Sequence, residues 1–429
     1  MRLCLPLLFG LSAWLALSAC GSAGSSADSG ASAPAETGGS AAQSSGAAHG
    51  AGAGNTSSTT GGQGGKAGNA AATGNAGAFL GSGGASLAAP VTWNGAKSTS
   101  ITDAQLAAEY SAWKVAHVVS CSNGSAVVVD ESSVASEAIG SGLLLAAALA
   151  DGALFEGLWK YYQDHLDKYG LMNSVTGKCD APSNNGASAA TDADLDTVMA
   201  LVQAGAHWPS AGYLLKAQTL AGKIVQFETD TCNGRRVLRP GDGVGGCSDP
   251  DPGKQRINPS YFAPAYYKVF AHYFPAQAST WTALADGSYQ LYALYQARMD
   301  NLVPDWSGPD GSDEASVYGR DACRTPWRVA TDYAWTGDTR AKTFMQNVAS
   351  WVDAHGGLPA AVGALPNGAN EFNSAFVGSF ALAGGYDQGK FDGYMSGWLN
   401  AELDDAVYYP GTLRVLYLLV AAGKFSSTL

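Results

Sequence analysis

The chain has 429 residues, of which 46% are hydrophobic and only 14% are charged, well below the usual share of about 25%. Its 24 basic residues are outnumbered by 36 acidic ones, which gives a formal net charge of −12. This balance excludes a nucleic-acid-binding protein, because such a protein needs a basic face to neutralise phosphates. The length allows two or three domains, but it also suits one large helical domain.

The N-terminus has the pattern of an export signal. Arg2 is followed by a largely apolar run over 3–17, which is too short for a membrane span and favours a secretory signal over 1–20. The tetrad over 17–20 reads Leu-Ser-Ala-Cys and resembles a bacterial lipobox, in which Cys20 carries a lipid after cleavage. The alternative is an ordinary signal that is cleaved at or near the same place. We therefore expect an exported protein, secreted or held at the cell surface, whose only membrane contact is this lipid.

Residues 21–90 have the composition of a disordered linker. Gly, Ala and Ser occupy 51 of these 70 positions, and Phe79 is the one aromatic residue. Such a segment buries too little apolar surface to offset the backbone entropy that folding costs. The folded domain is therefore expected over 91–429, which is long enough for one large core.

The rest of the chain shows apolar residues at helical spacing, interrupted by Gly, Pro, Asn and Asp. Short strand signals occur near 125–129 and 236–238. Twelve helices suit six helical hairpins closed into an all-α (α/α)6 barrel; a solenoid is the alternative, but no repeat of fixed length is visible. The predicted helices span 103–117, 137–150, 153–168, 193–206, 209–228, 260–273, 278–298, 322–335, 338–354, 372–384, 390–402 and 410–423.

The predicted helices alternate in character. The even-numbered helices are rich in small and apolar residues, as over 140–147, whereas the odd-numbered ones carry charges such as Lys160 and Asp164. Helices that are apolar all round are buried, and amphipathic helices face water on one side. We therefore place the even helices in an inner ring and the odd ones outside. The inner helices then run in one direction, and their N-termini meet at one mouth.

Export makes disulfides possible, and five cysteines lie after the signal. Cys232 and Cys247 flank a Gly-rich loop and are the first candidate pair, and Cys121 with Cys179 is the second. The odd count leaves one free thiol, for which Cys323 inside a helical run is the candidate. No Cys or His spacing is typical of a metal site, so we expect no metal and no cofactor. We expect the protein to be a monomer.

Carboxylates, amides and phenols precede the inner helices. This mixture suits a carbohydrate, and paired carboxylates suit glycoside hydrolysis. The alternative is helix capping, which is the better explanation for any single acid. Three acids on alternate helices, with aromatic residues between them, favour a functional site. The residues at these starts include Glu137, Asp192, Asp194, Asn258, Tyr261, Asp321, Arg324, Asn370, Glu371, Asn373, Tyr408 and Tyr409.

These residues stand in six motifs that resemble, in order, those of family 8 of the glycoside hydrolases, formerly cellulase family D. The resemblance covers about 105–424. The motifs read here Ser136-Glu137, Ala190-Thr191-Asp192-Ala193-Asp194, Asn258-Pro259-Ser260-Tyr261-Phe262, Val303-Pro304-Asp305-Trp306, Asp321-Ala322-Cys323-Arg324-Thr325-Pro326-Trp327-Arg328, and Tyr408-Tyr409 with Leu413-Arg414.

The resemblance implies an inverting, endo-acting hydrolase of β-1,4-linked glycans. It implies that Glu137 is the general acid, that Asp321 is the general base and that Arg324 orients the base. In an inverting site the two carboxyl groups stand about 6.5–9.5 Å apart, which leaves room for a water. An Asp in this base position is similar to the cellulases and xylanases of the family, so cellulose, mixed-linkage glucan and xylan all remain open. The residues that the resemblance places against the polysaccharide are Asp192, Asp194, Tyr261 and Arg324, together with Tyr408 or Tyr409.

Two cleft motifs depart from the family pattern. Ser141 replaces a tyrosine after the acid, and Ser174 replaces a tryptophan that stacks on a sugar. A stacked aromatic contributes about 1 kcal/mol, so a weakened sugar subsite is expected. These losses motivate an alternative, a surface lipoprotein that binds glycans without cutting them. A polysaccharide lyase on the same barrel is disfavoured, because the six histidines do not cluster at helix starts.

Overall fold

A computed structural model describes residues 93–179, 181, 188–312, 317–366 and 371–427. The predicted signal over 1–20, the lipidation site Cys20, the linker over 21–90 and Asn370 lie outside the described residues. Among the described residues, no helix combines the length and the apolar character needed to cross a bilayer.

Within the described residues the protein has twelve α-helices, one for each predicted helix. Most boundaries differ from the prediction by one to four residues, and two helices match at both ends. The helices are α1 (Asp103–His117), α2 (Ser136–Ala148), α3 (Gly152–Asp164), α4 (Thr191–His207), α5 (Tyr213–Phe227), α6 (Pro264–Tyr273), α7 (Ala278–Arg298), α8 (Thr325–Thr336), α9 (Thr339–Ala354), α10 (Ser374–Ala383), α11 (Gln388–Leu399) and α12 (Tyr408–Ala421).

The inner and outer rings follow the predicted alternation. Every residue of α10 is buried, and so is every residue of α4 from Thr191 to Ala204. The outer helix α1 instead buries Leu106, Tyr110 and Trp113, which recur at the spacing of one helix face. Each outer helix packs on the inner helix that precedes it, and α1 packs on α12 to close the ring. The architecture is the predicted (α/α)6 barrel.

Several helix starts differ from the prediction because short 3₁₀ turns precede them. Gly212 has φ +68°, a left-handed conformation that separates the turn at Pro209–Ala211 from α5. A turn at Pro259–Tyr261 likewise precedes α6. A third turn, Ala322–Arg324, leads into α8 and carries the residues next to Asp321. The turns before α6 and α8 carry the mouth residues Tyr261 and Arg324.

In the described part of the chain, three short two-stranded antiparallel sheets lie on the barrel. Two contain the predicted strand segments: β1 (Val118–Cys121) pairs with β2 (Gly124–Val127), and β5 (Thr229–Cys232) pairs with β6 (Arg235–Leu238). The third was not predicted, because its two strands are far apart in sequence. It joins β3 (Ser133–Ala135) to β4 (Val175–Gly177) and leads directly into the first turn of α2.

Candidate active site

Glu137 lies in the first turn of α2, with its side chain 28% exposed at the mouth of the barrel. Its Oε2 accepts a hydrogen bond of 2.8 Å from Nη1 of Arg324. Its Oε1 accepts one of 3.1 Å from the hydroxyl of Tyr408, the first residue of α12. One carboxyl group therefore joins three inner helices, and part of it stays open to the mouth.

Asp321 immediately precedes the turn that leads into α8, and its side chain is also 28% exposed. Its Oδ1 accepts a 2.8 Å hydrogen bond from Nη2 of Arg324. Its Oδ2 accepts a 3.0 Å hydrogen bond from Nε1 of Trp306. Because a carboxylate accepts about four hydrogen bonds, both oxygens keep capacity for a water.

Arg324 is the centre of the site and is only 4% exposed. Besides the contacts to Glu137 and Asp321, its Nη1 lies 2.7 Å from Oδ2 of Asp192 and its Nη2 donates to Oγ of Ser260 at 3.0 Å. The prediction placed this arginine beside Asp321 and the polysaccharide, whereas the structure ties all three carboxylates to it. A planar guanidinium with fixed donors holds their relative positions.

The shared guanidinium also limits the distance between the carboxyl groups of Glu137 and Asp321. Glu137 and Asp321 each accept a 2.8 Å bond from a different Nη atom of the same group. The two bonded oxygens therefore lie no more than about 8 Å apart, which is compatible with the separation of an inverting site.

The electrostatics of Glu137 suit a proton donor. Burial raises its pKa to about 7; Arg324 opposes this rise, and the nearby charges of Asp192 and Asp321 add to it. Burial also raises the pKa of Asp321, and Arg324 is the largest opposing influence there. Glu137 thus keeps its proton up to near-neutral pH, as a general acid requires.

The three predicted tyrosines reach the site in different ways. Tyr408 donates to Glu137, as described. The Tyr261 ring centroid lies 5.3 Å from the Arg324 guanidinium carbon, beside the carboxylates. Tyr409 donates instead to the backbone carbonyl of Arg320, so it supports the segment that carries Asp321. Of the two adjacent tyrosines, Tyr408 is the one that contacts a carboxylate of the site.

The two acids of the α4 motif lie on different sides of the helix. Asp192 is 2% exposed and contacts Arg324, so it belongs to the site as a partner of that guanidinium. Asp194 is completely buried, and its Oδ1 accepts a hydrogen bond from Tyr162 of the outer helix α3. Burial raises the pKa of Asp194 to about 8. The structure therefore does not bring Asp194 to the mouth, because residues two positions apart on a helix point about 200° apart.

A buried ion pair beneath the site was missed by the sequence analysis. Arg328 donates to both carboxylate oxygens of Asp196, at 2.5 and 3.1 Å, and both residues are almost fully buried. Each lies four residues after a site residue, Asp192 or Arg324, and so on the same helix face. This four-residue spacing could have identified the pair from the sequence. The pair links α4 to α8 one helical turn beyond Asp192 and Arg324.

The positions that depart from the family pattern lie close to the acid. Ser141 is 4% exposed inside α2, one turn from Glu137. Ser174 accepts the backbone N–H of Ser136 through its carbonyl oxygen. At these two positions the side chains are those of serine, and the tyrosine and tryptophan of the family pattern have no counterpart there.

The structure links Cys232 to Cys247 and Cys121 to Cys179, the two pairs that the sequence favoured, and it leaves Cys323 buried as a free thiol. In the described part of the chain, the one cluster with metal-ligand geometry is Asp230 with Cys232 and Cys247. Sulfurs in a disulfide offer no thiolate, so this cluster is not a metal site.

Comparisons with known proteins agree with this geometry. The family model for glycosyl hydrolases family 8 matches residues 87–423. Endoglucanase A of Acetivibrio thermocellus is 34% identical over 77% of this chain and 73% of its own length. A beta-glucanase of Niallia circulans is 28% identical over 76% of this chain and 86% of its own.

Solved structures show the same fold at lower identity. The apo beta-1,3-1,4-glucanase from Paenibacillus sp. X4 superposes with a TM-score of 0.65 at 22% identity, covering 78% of this chain and 96% of that one. A xylanase from Teredinibacter turnerae, solved as a catalytic mutant with xylohexaose, gives a TM-score of 0.63 at 17% identity, covering 77% of this chain and 96% of that one.

Proposed function

The chain belongs to glycosyl hydrolases family 8, and we propose that it cuts internal β-1,4 linkages of a β-glucan with Glu137 as acid and Asp321 as base. The observation that carries this assignment is the single guanidinium of Arg324, which holds both carboxyl groups at 2.8 Å. The reaction is an inverting hydrolysis, in which water replaces the leaving sugar in one displacement.

The proposed proton transfers follow the roles that the family motifs imply for the two carboxyl groups. Glu137 enters the reaction protonated and gives its proton to the glycosidic oxygen as the bond to the anomeric carbon breaks. Asp321 enters ionised and accepts a proton from the water that attacks the opposite face of the sugar. Each placed carboxyl group contributes roughly 10²–10⁴-fold to the rate.

The neighbouring residues tune these two groups. Asp192 neutralises part of the Arg324 charge and adds a negative charge close to Glu137, which favours the protonated acid. Tyr408 fixes the orientation of the acid through its hydroxyl. Tyr261 lies beside the guanidinium, where a phenol contacts sugar or water, and Arg324 itself borders the sugar that is cut.

We propose a β-1,4-linked glucan, cellulose or mixed-linkage, as the preferred polymer. The support is the comparison with three relatives named endoglucanase, which are 30–34% identical to this chain. Ser174 offers no ring to stack on a sugar, so xylan remains the second candidate.

The experiment is a reducing-sugar assay on β-1,3-1,4-glucan, carboxymethylcellulose, xylan and chitosan, with the product anomer read by proton NMR. We expect the α-anomer to form first and the viscosity of the polymer to fall early, as endo cleavage with inversion requires. The variant Glu137→Gln removes the proposed acid. Its matched control is Glu156→Gln on α3, because Glu156 accepts a hydrogen bond from Tyr213 on the outer ring. Glycan binding by the wild type without sugar release would instead favour the alternative, a surface lipoprotein that binds glycans without cutting them.

We also propose that the protein is exported as a monomeric lipoprotein anchored at Cys20. The tetrad over 17–20 and the linker composition support this, and the two disulfides suit an oxidising compartment. Cys20→Ser expressed in a bacterial host should move the protein from the membrane fraction to the soluble fraction. Retention of that variant in the membrane would show a different anchor, and sedimentation of the purified protein checks the monomer.

A further inference from the structure

Residues 303–307 form a segment that follows α7. This segment contacts the proposed base, Asp321, which itself precedes the turn before α8. Ile257 and Ser307 exchange two backbone hydrogen bonds of 2.8 and 3.1 Å, which anchor the end of the segment. The backbone N–H of Asp305 donates to the carbonyl of Val317 at 2.8 Å, which ties the segment to the chain that leads to Asp321.

The carboxyl group of Asp305 holds the backbone on both sides of the base. Its Oδ1 accepts the N–H of Gly319 at 2.8 Å and the N–H of Ala322 at 2.7 Å. These amides lie two residues before and one residue after Asp321. A side chain at position 319 would meet Oδ2 of Asp305 at 2.4 Å, so the close approach requires the glycine found there. The backbone position of the base is therefore set by Asp305.

Trp306 sets the orientation of the base carboxylate. Its indole N–H donates to Oδ2 of Asp321, while Arg324 donates to Oδ1. The Trp306 ring lies 4.4 Å from the Arg256 guanidinium carbon and 6.5 Å from the Tyr261 ring, measured from its centroid. The Arg256 guanidinium covers part of this ring, and its N–H is committed to Asp321, which favours a role in holding Asp321 over a platform for sugar.

A neutral donor suits this position for an electrostatic reason. A second cation at Oδ2 would form a charge-assisted bond, roughly twice as strong as a neutral one, and would make the carboxylate a poorer base. The indole N–H orients the carboxylate at a smaller cost in basicity. The importance of this hydrogen bond for catalysis rests on the proposed role of Asp321 as the base.

We propose that Asp305 and Trp306 are positioning residues for the catalytic base: Asp305 fixes its backbone and Trp306 fixes its carboxylate. Neither needs to contact substrate. Together they hold one lone pair of Asp321 toward the attacking water, so that the geometry for proton transfer exists before the glycan binds.

The test begins with Trp306→Phe, which keeps an aromatic ring and removes the N–H. Losing one neutral hydrogen bond should lower kcat about tenfold and leave KM within about twofold. Because the lost bond favours the ionised carboxylate, the acidic limb of the pH–rate profile should move up by about half to one pH unit. The matched control is Trp159→Phe on α3, since the indole N–H of Trp159 has no partner among the described residues.

The shift isolates the indole bond because the other groups facing Asp321 are unchanged in Trp306→Phe. The charged groups come from α2, α4, the 303–307 segment and the turn before α8, and two neutral titratable groups and an amide complete the surroundings. They are Glu137, Asp192, Asp305, Arg324, Tyr261, Cys323 and Asn258.

A second pair of variants tests Asp305. Asp305→Asn keeps an oxygen that can accept both amides and should retain most of kcat, whereas Asp305→Ala should lose at least about tenfold. Thermal unfolding of each variant separates a loss of folding from a loss of positioning.

The pKa of the Asp321 carboxyl, followed by carbon-13 NMR of the substrate-free protein, gives a readout that needs no turnover. A rise in Trp306→Phe supports the proposal even if no tested glycan is cut, which separates it from failure of the proposed function. An unchanged Asp321 pKa would overturn it. A rise in KM at constant kcat would also overturn it, because Trp306 would then be a sugar platform.

Discussion

The charge of Asp192 should help to set the alkaline limit of activity, and Asp192→Asn tests this. Asn has nearly the same volume and keeps an oxygen that can accept from Arg324. The oxygens of Glu137 and Asp192 that share Nη1 of Arg324 lie 2.8 and 2.7 Å from it. They are therefore within about 5.5 Å of each other, close enough for a strong like-charge effect.

The size of the effect follows from that distance. Two unit charges about 5 Å apart at an effective dielectric constant of about 20 repel by roughly 3 kcal/mol, or about two pH units. Glu137 is 28% exposed, and solvent screening reduces this to about one unit. Removing the charge of Asp192 also leaves Arg324 less neutralised, which acts in the same direction. The pKa of Glu137, about 7 in the wild type, should therefore fall to near 6.

The assay is the pH dependence of kcat/KM on a soluble β-glucan, because its alkaline limb reports the acid of the free enzyme. Glu137 must be protonated to act, so a lower pKa moves this limb to lower pH. The matched control is Asp194→Asn on the same helix, which should leave the limb in place because Asp194 faces Tyr162. If the limb of Asp192→Asn stays near pH 7 while activity is merely scaled down, burial alone tunes the acid and the reasoning is refuted.

Three further outcomes are expected. Glu137→Gln and Asp321→Asn should each lower kcat by roughly 10²–10⁴-fold while calorimetry still detects glycan binding, and a variant that keeps more than about a tenth of the activity would not be acid or base. Asp196→Ala should lower the free energy of unfolding by about 3–5 kcal/mol, because it leaves Arg328 buried without its partner, and denaturant melts that match the wild type would contradict this. Deletion of 1–90 should leave cooperative unfolding and activity intact; a broad transition would place the domain boundary earlier.

The sequence predicted the helices well because their signal is local. Apolar residues three and four positions apart mark a buried face, and Gly, Pro or Asn interrupts it, so twelve helices and their alternation were visible. The same local character allowed Glu137 and Asp321 to be identified from the sequence, since each stands in a short motif at a helix start. The pairing of β3 with β4 could not be predicted from the sequence, because about 40 residues of chain, including α2 and α3, separate the two strands.

The assembly of the site required the tertiary structure. Arg324 contacts Glu137 and Asp192, which lie 187 and 132 residues away in sequence. Local patterns do not specify which distant side chains share one guanidinium. The bond from Trp306 to Asp321 was likewise invisible, although both residues stood in motifs that the sequence analysis had identified.

The α4 motif separates what the sequence determines from what only the tertiary structure decides. Helical geometry alone establishes that Asp192 and Asp194 cannot face the same site, because 100° per residue separates their side chains by about 200°. Which of them faces the mouth depends on the rotation of α4 about its axis, and that rotation is set by packing against α2 and α5. The sequence by itself determined the family motifs, the helices and the two carboxylates, Glu137 and Asp321, that we propose as acid and base. Only the packed barrel decided that Asp192 joins Arg324 while Asp194 is buried against Tyr162, because helix rotation is a property of the whole core.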